Sequence, residues 1–179
     1  MSFNWPSHTK EEIAAVAKVL KSGKVNYFTG DQNRLFEKEF AIFSQTKYAI
    51  SLANGTVAIE AALRSLEVGK GDEVIVTSRT YVASASSIVN VGAIPIFADV
   101  DIDSQNISSD TIETLITSKT KAIICVHLAG WPCNMSEIMN FAKRESLFVI
   151  EDCAQAHGSV YENKKVGSLG HLAAWSFCN

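Results

Sequence analysis

Two adjacent acids, Glu151 and Asp152, end the apolar run Leu147-Phe148-Val149-Ile150 and are followed by Cys153-Ala154-Gln155-Ala156-His157-Gly158. The run is too short, and too closely flanked by polar residues, for a helix core, so it reads as a buried strand. The acids then sit at its carboxyl end, the edge where open α/β sheets bind ligands. Neighbouring strand residues face opposite sides, so one carboxylate is expected to meet a ligand and the other to have a supporting role. Ala53-Asn54-Gly55-Thr56 precedes another helical pattern. A helix N-terminus offers unpaired amides and a partial positive charge, and glycine lets an anion approach the backbone. The same residues also read as an ordinary capped turn. Thr80-Tyr81 follows a further apolar run, where the aromatic is either packing or a cover for a planar ring. Ser176 is either a hydroxyl donor to an anion or a plain strand residue.

Taken together, these pieces describe one ligand: an anion on a helix N-terminus, a flat ring beneath an aromatic, and a carboxylate for a ring nitrogen. Pyridoxal phosphate has all three features, and its protonated pyridine nitrogen needs an acid partner to act as an electron sink. No strand is followed by GxGxxG, which disfavours a nicotinamide-binding domain.

These residues need a scaffold, and the periodicity supplies one. Thr9 and Glu12 are spaced as a capping box for a helix through about Leu20, with Ile13, Val16, Ala17 and Leu20 on one face and Gly23 as its stop. A second helix begins near Asp31, with Leu35, Phe36, Phe40 and Phe43 as its expected buried stripe. From Lys47 the pattern alternates. Strands are expected at Tyr48 to Leu52, Glu73 to Val76, Ile94 to Phe97, Ala122 to Val126 and Leu147 to Ile150. Helices are expected at Thr56 to Leu66, Val82 to Val91, from a cap at Ser109 or Asp110 to Ile116, and at Met135 to Arg144. The tail from Val166 to Phe177 reads as a turn entering one more strand. Apolar strands alternating with amphipathic helices give a mostly parallel sheet covered on both faces.

The 179 residues suffice for one domain, and 47% hydrophobic with 20% charged residues excludes disorder. A net charge of -3 gives no reason to expect nucleic acid or a membrane surface as partner. The start, Met1 to Pro6, lacks a secretory pattern, and no apolar run is long enough to span a bilayer. The four cysteines, Cys125, Cys133, Cys153 and Cys178, show no CxxC pair, so reduced thiols in or near the core of a cytoplasmic protein are expected. A zinc site from Cys125, His127 and Cys133 is possible by residue type. It is not expected, because Cys125 lies inside an apolar strand and no fourth ligand is nearby.

The matching strings are Asn54-Gly55-Thr56, Gly71-Asp72-Glu73-Val74-Ile75-Val76, Gly92-Ala93-Ile94-Pro95-Ile96-Phe97 and Thr120-Lys121-Ala122-Ile123-Ile124. Val126-His127-Leu128, Glu151 to Gly158, and Val166-Gly167-Ser168-Leu169-Gly170 continue them. In this order and near this spacing, the chain resembles the N-terminal portion of the DegT/DnrJ/EryC1/StrS sugar aminotransferases. The resemblance implies the large domain of a fold-type-I pyridoxal-phosphate transferase, a three-layer α/β/α sandwich. It also implies that residues 1–179 are an N-terminal segment plus most of that domain, with a small C-terminal domain outside this chain.

By resemblance, Asp152 pairs with the pyridine nitrogen, Gln155 lies beside the ring and its phenolic oxygen, and Tyr81 stacks on the ring face. Gly55, Thr56 and Ser176 hold the phosphate, while Glu151, His127 and His157 keep packing or hydrogen-bonding roles. A Schiff-base lysine is implied two positions past Asn179, and no lysine present replaces it: Lys164 and Lys165 lie in the turn before Ser176. Asn54, Thr77, Arg79, Ala129, Trp131 and Trp175 depart from the usual pattern without removing a cofactor contact. Arg79 and Trp131 are either substrate-pocket residues or, for Arg79, an exposed side chain. The implied reaction moves an amino group, usually from glutamate, to a nucleotide-linked keto sugar for polysaccharide or glycan precursors, in a homodimer whose subunits share the site. The alternatives are a dehydratase of the same family, with histidine for the lysine, or a non-catalytic relative.

Overall fold

The computed structural model describes residues 6–178; residues 1–5, from which the absence of a leader was read, and Asn179 lie outside the described residues. Five strands form one parallel sheet: β1 (Glu73–Thr77), β2 (Ile94–Ala98), β3 (Thr120–Val126), β4 (Phe148–Asp152) and, after a small hairpin, β7 (Leu172–Ala174). Their order is β2-β1-β3-β4-β7. The chain runs outward from β1 to β2 and then returns to the other side of β1, so the strand order reverses between β1 and β3. The crevice beyond the carboxyl ends at such a reversal is where open α/β sheets place ligands.

Strand alternation sorts the core into two layers. Val74 and Val76 of β1, Ile124 and Val126 of β3, Ile150 of β4 and Ala174 of β7 pack beneath α3 (Gly55–Ser65) and α4 (Ala83–Asn90). Ile75, Ile123, Cys125 and Val149 face the other way, toward α5 (Ser109–Glu113) and α6 (Met135–Glu145). Strands buried on both faces are continuous apolar runs, as these are. The period of two then decides the acids: Asp152 follows Ile150 onto the α3/α4 face, and Glu151 follows Val149 onto the α6 face.

Local signals hold well. Thr9 and Glu12 form the capping box of α1 (Lys10–Ser22), which Gly23 ends in the left-handed conformation, φ 69°. Asn54 caps α3 by accepting from the Val57 amide at 2.9 Å. The short helix α5 is capped one residue earlier than expected, by Ser108, and ends at Glu113 rather than Ile116. Glu162 and Asn163, both at positive φ, make the tight turn between β5 (Val160–Tyr161) and β6 (Lys164–Lys165), a hairpin where the sequence reads only as a turn.

Two expectations fail for tertiary reasons. Tyr48 to Leu52 alternates like a strand but is irregular, because no strand among the described residues lies beside it to pair with. Instead Glu37 of α2 (Gln32–Phe43) holds it, accepting from both the amide and the hydroxyl of Ser51 at 2.8 Å. The aromatic stripe of α2 is not buried: Leu35, Phe36 and Phe43 are exposed. Phe40, half-buried, meets Trp175 and Phe177 beyond β7 edge-on at 5.3 and 5.4 Å. The apolar face of α1 is exposed as well, at Ile13, Val16 and Leu20. No helix among the described residues is long and apolar enough to cross a membrane.

Candidate active site

Asp152 ends β4 with 6% of its surface exposed. Its Oδ2 accepts from the Ser84 hydroxyl at 2.7 Å and its Oδ1 from the Ala154 amide at 3.1 Å. A carboxylate has about four acceptor sites, so each oxygen keeps a lone pair for a ligand. The next strand, β7, pairs Ala174 with Asp152 and carries the chain on to Ser176. Helix α3 meets that point closely. A Cβ on Gly55 would stand 3.0 Å from Ser176 Cβ and 3.3 Å from the Trp175 carbonyl oxygen. A side chain here would be tight, because the helix start and the segment after β7 touch.

Asn54 satisfies the Val57 amide, while the Gly55 and Thr56 amides have no acceptor among the described residues. Two free N–H groups, the start of a helix dipole and the Ser176 hydroxyl are thereby gathered just beyond the end of the strand that pairs with Asp152, a donor set suited to a phosphate.

Gln155 and Tyr81 complete the edge. Gln155 is exposed, and its Oε1 accepts from the Ala129 amide at 2.8 Å. A backbone N–H can only donate, so this bond fixes which end of the side chain is oxygen and leaves Nε2 as a donor. Ala129 adopts φ 52°, a left-handed conformation rare outside glycine, at the bend where β3 gives way to the next loop. Tyr81 lies just past β1 and is 71% exposed. Lys164 and Lys165 form β6, where the Lys165 amide is bonded to Gln45.

The second acid is an internal anchor. Glu151 is fully buried, and its Oε1 accepts from the Leu169 and Gly170 amides at 2.8 and 2.6 Å. Its Oε2 accepts from the Gly167 amide at 2.8 Å and from His127 Nε2 at 2.9 Å. Burial opposes its charge, but the His127 hydrogen bond and the Gly167 and Gly170 amides outweigh this and hold its carboxyl below the usual range. His127 Nδ1 accepts from the Cys133 amide at 3.1 Å, so the proton of the neutral ring sits on Nε2 and is donated to Glu151. Glu151 thus ties the turn that precedes β7, and with it Ser176, to the ends of β3 and β4. His157 packs between Trp175 and Phe177, with ring centroids 5.0 Å away in each case.

The zinc reading loses its ligands, since both ring nitrogens of His127 are engaged and Cys133 Sγ lies 3.3 Å from the Val126 carbonyl. His127, Glu151 and Cys153 also lie within 4.8 Å of one another, but four N–H groups already aim at the carboxylate and would repel a cation. Cys125, Cys133 and Cys153 are buried thiols, whereas Cys178 is exposed, contrary to the expected near-core position. Arg79 and Trp131 are both exposed.

Fold and sequence therefore bring Gly55, Thr56, Asp152 and Ser176 together, with Gln155 and Tyr81 along the same strand-end edge. Ser84 was missed. A serine within Ala83-Ser84-Ala85-Ser86-Ser87 carries no motif, and only its burial and its bond to a residue 68 positions away reveal it. The turn that Glu151 holds is equally demanding. Gly167 sits at φ +88°, and a Cβ there would run into the Trp175 indole. Gly167→Ala is expected to cost about 2–4 kcal/mol from strain and overpacking, measured by denaturant unfolding.

The family model for the DegT/DnrJ/EryC1/StrS aminotransferase family matches residues 6–179. The dTDP-3-amino-3,6-dideoxy-alpha-D-galactopyranose transaminase of Aneurinibacillus thermoaerophilus is 47% identical over 170 residues, covering 95% of this chain and 46% of that protein. Among solved structures, the aminotransferase from Psychrobacter cryohalolentis has a TM-score of 0.96 and 56% identity, covering 98% of this chain and 45% of its own. A Streptococcus pneumoniae sugar aminotransferase solved in its PLP-form has a TM-score of 0.93 and 34% identity, covering 99% of this chain and 49% of its own. The chain spans about half the length of the curated relatives it matches. By the match over residues 6–179 and the shared fold, the chain belongs to the DegT/DnrJ/EryC1/StrS aminotransferase family.

Proposed function

We propose that this chain carries the cofactor-binding part of a pyridoxal-phosphate-dependent aminotransferase that acts on a nucleotide-linked keto sugar in the cytoplasm, with glutamate as amino donor. The observation that carries the reading is Asp152. It is a buried carboxylate with spare lone pairs, on the same sheet face as the free amides of Gly55 and Thr56 and next to the strand that leads to Ser176. The residues fit the cofactor by donor set: Gly55, Thr56 and Ser176 offer donors to the phosphate, Asp152 an anion to the ring N–H, and Gln155 an amide donor to the phenolic oxygen. Tyr81 offers an uncovered ring face. When bound, the cofactor supplies an electron sink conjugated to the amino nitrogen. Asp152 keeps the ring nitrogen protonated, the helix start and Ser176 fix the phosphate end, and Gln155 sets the ring's rotation.

The sugar substrate is supported by the Aneurinibacillus relative, whose name specifies a dTDP-linked amino sugar. A second subunit completing the site is supported by the exposed apolar face of α1. The test uses the protein at its natural length with pyridoxal phosphate, ¹⁵N-glutamate and a panel of nucleoside-diphosphate keto sugars. The expected result is ¹⁵N in the nucleotide-sugar product. Loss of water without nitrogen transfer, or no cofactor binding, overturns the reading.

A further inference from the structure

We infer that Ser84 is the positioning residue for the ring-nitrogen partner: its hydroxyl, aimed by Thr80, holds Asp152 so that a lone pair meets the ring N–H. The inference rests on the reading of Asp152 as that partner.

Ser84 is 1% exposed, near the start of α4, the helix whose Ile88 packs in the apolar layer over the sheet. A buried hydroxyl is costly unless bonded, and this one lies 2.7 Å from Asp152 Oδ2. The direction of the chain of bonds follows from counting protons. An ionised carboxylate only accepts, so the single Ser84 proton goes to Asp152. Thr80 Oγ1, at 2.8 Å from Ser84 Oγ, must then be the donor of that pair. The order is Thr80 to Ser84 to Asp152. With Ala154 donating to Oδ1, both oxygens are fixed and the carboxylate plane cannot swing.

The same turn is tied to the rest of the edge. The Ser84 amide donates to the Tyr81 carbonyl at 3.1 Å, so the exposed aromatic and the carboxylate are set by one stretch of backbone. Three residues further along α4, the buried Ser87 hydroxyl donates to the Thr56 carbonyl at 3.3 Å. Positions three apart lie on one helix face. That face thereby reaches both ends of the proposed cofactor: Ser84 at the ring nitrogen, Ser87 at the phosphate turn.

The test compares wild type, Ser84→Ala, Ser84→Thr and Thr80→Val at natural length. Two readouts are followed: cofactor dissociation constant by fluorescence titration, and the ¹⁵N shift of ring-labelled pyridoxal phosphate. Ser84→Ala is expected to weaken cofactor binding about tenfold, as for loss of one hydrogen bond to a charged group, and to move the ring nitrogen toward its unprotonated shift. Ser84→Thr, which keeps a hydroxyl, is expected to restore both. Thr80→Val leaves Ser84 and Asp152 in place and is expected to move the shift in the same direction by less, which keeps the inference testable if Ser84→Ala does not fold. Wild-type affinity and shift in Ser84→Ala overturn the role of Ser84, a wild-type shift in Thr80→Val overturns its aiming by Thr80, and either leaves the cofactor reading standing. A wild-type protein that binds no cofactor overturns both.

Discussion

Asp152→Asn, in the protein at its natural length, is expected to lower turnover about 10²–10³-fold, the range for removing one preorganised electrostatic partner, while the fold survives. Asparagine matches aspartate in size, and its oxygen can still accept from the Ala154 amide. Its amide nitrogen would face Ser84, whose hydroxyl can rotate to accept instead of donate. Both existing partners of position 152 are kept, so thermal unfolding without cofactor should differ little from wild type. What is lost is the negative charge that keeps a ring nitrogen protonated, and with it the electron sink. The measurement is turnover with a nucleotide-sugar substrate beside a melting curve. Turnover within a few-fold of wild type would mean that the ring nitrogen has another partner.

Its neighbour should behave in the opposite way. Glu151→Gln is expected to cost about 3–5 kcal/mol of stability, as for breaking a buried charged network by removing one partner. Each oxygen of Glu151 accepts two N–H groups. A glutamine has one oxygen, and either orientation turns its own N–H groups toward two donors. The loss is read by urea unfolding of both proteins. The effect carries a pH signature. The folded-state pKa of Glu151 lies below its ordinary value of 4.5, so the charged form is stabilised by folding. That contribution is complete above the unfolded value and is lost as pH falls through the folded one. The gap between wild type and Glu151→Gln should therefore close as the solution is acidified below 4.5. A gap that persists unchanged in acid would show that packing, not the carboxylate, holds the turn.

Adjacent residues of one strand thus divide the work, and the sequence carried that division only halfway. Alternation says that Glu151 and Asp152 face opposite sides, but not which side holds the ligand. The resemblance chose Asp152, and the two core layers then placed it with α3 and α4. The Asn54-Gly55-Thr56 turn was legible as a capped helix start, because its cap bond spans only three residues. That a side chain at Gly55 would be crowded was not legible, since the crowding atoms belong to Trp175 and Ser176. Tyr48 to Leu52 was misread because alternation reports a face and says nothing of a neighbour to pair with. The α2 stripe was misread for a related reason: a period of 3.6 shows that Leu35, Phe36 and Phe43 share a side, not that anything covers it.

The primary structure alone determined what depends on near neighbours: helix caps, the order of strands and helices along the chain, and the carboxylates at a strand end. These rest on bonds a few residues long and on side-chain period, both written locally. The tertiary structure decided which strands lie side by side, that Glu151 is a buried anchor while Asp152 lies on the α3/α4 face, and that a plain serine at position 84 grips Asp152. Those outcomes rest on contacts between residues far apart in the chain, such as Ser84 and Asp152, 68 positions apart, which become neighbours only when the sheet has formed and its two faces have been covered.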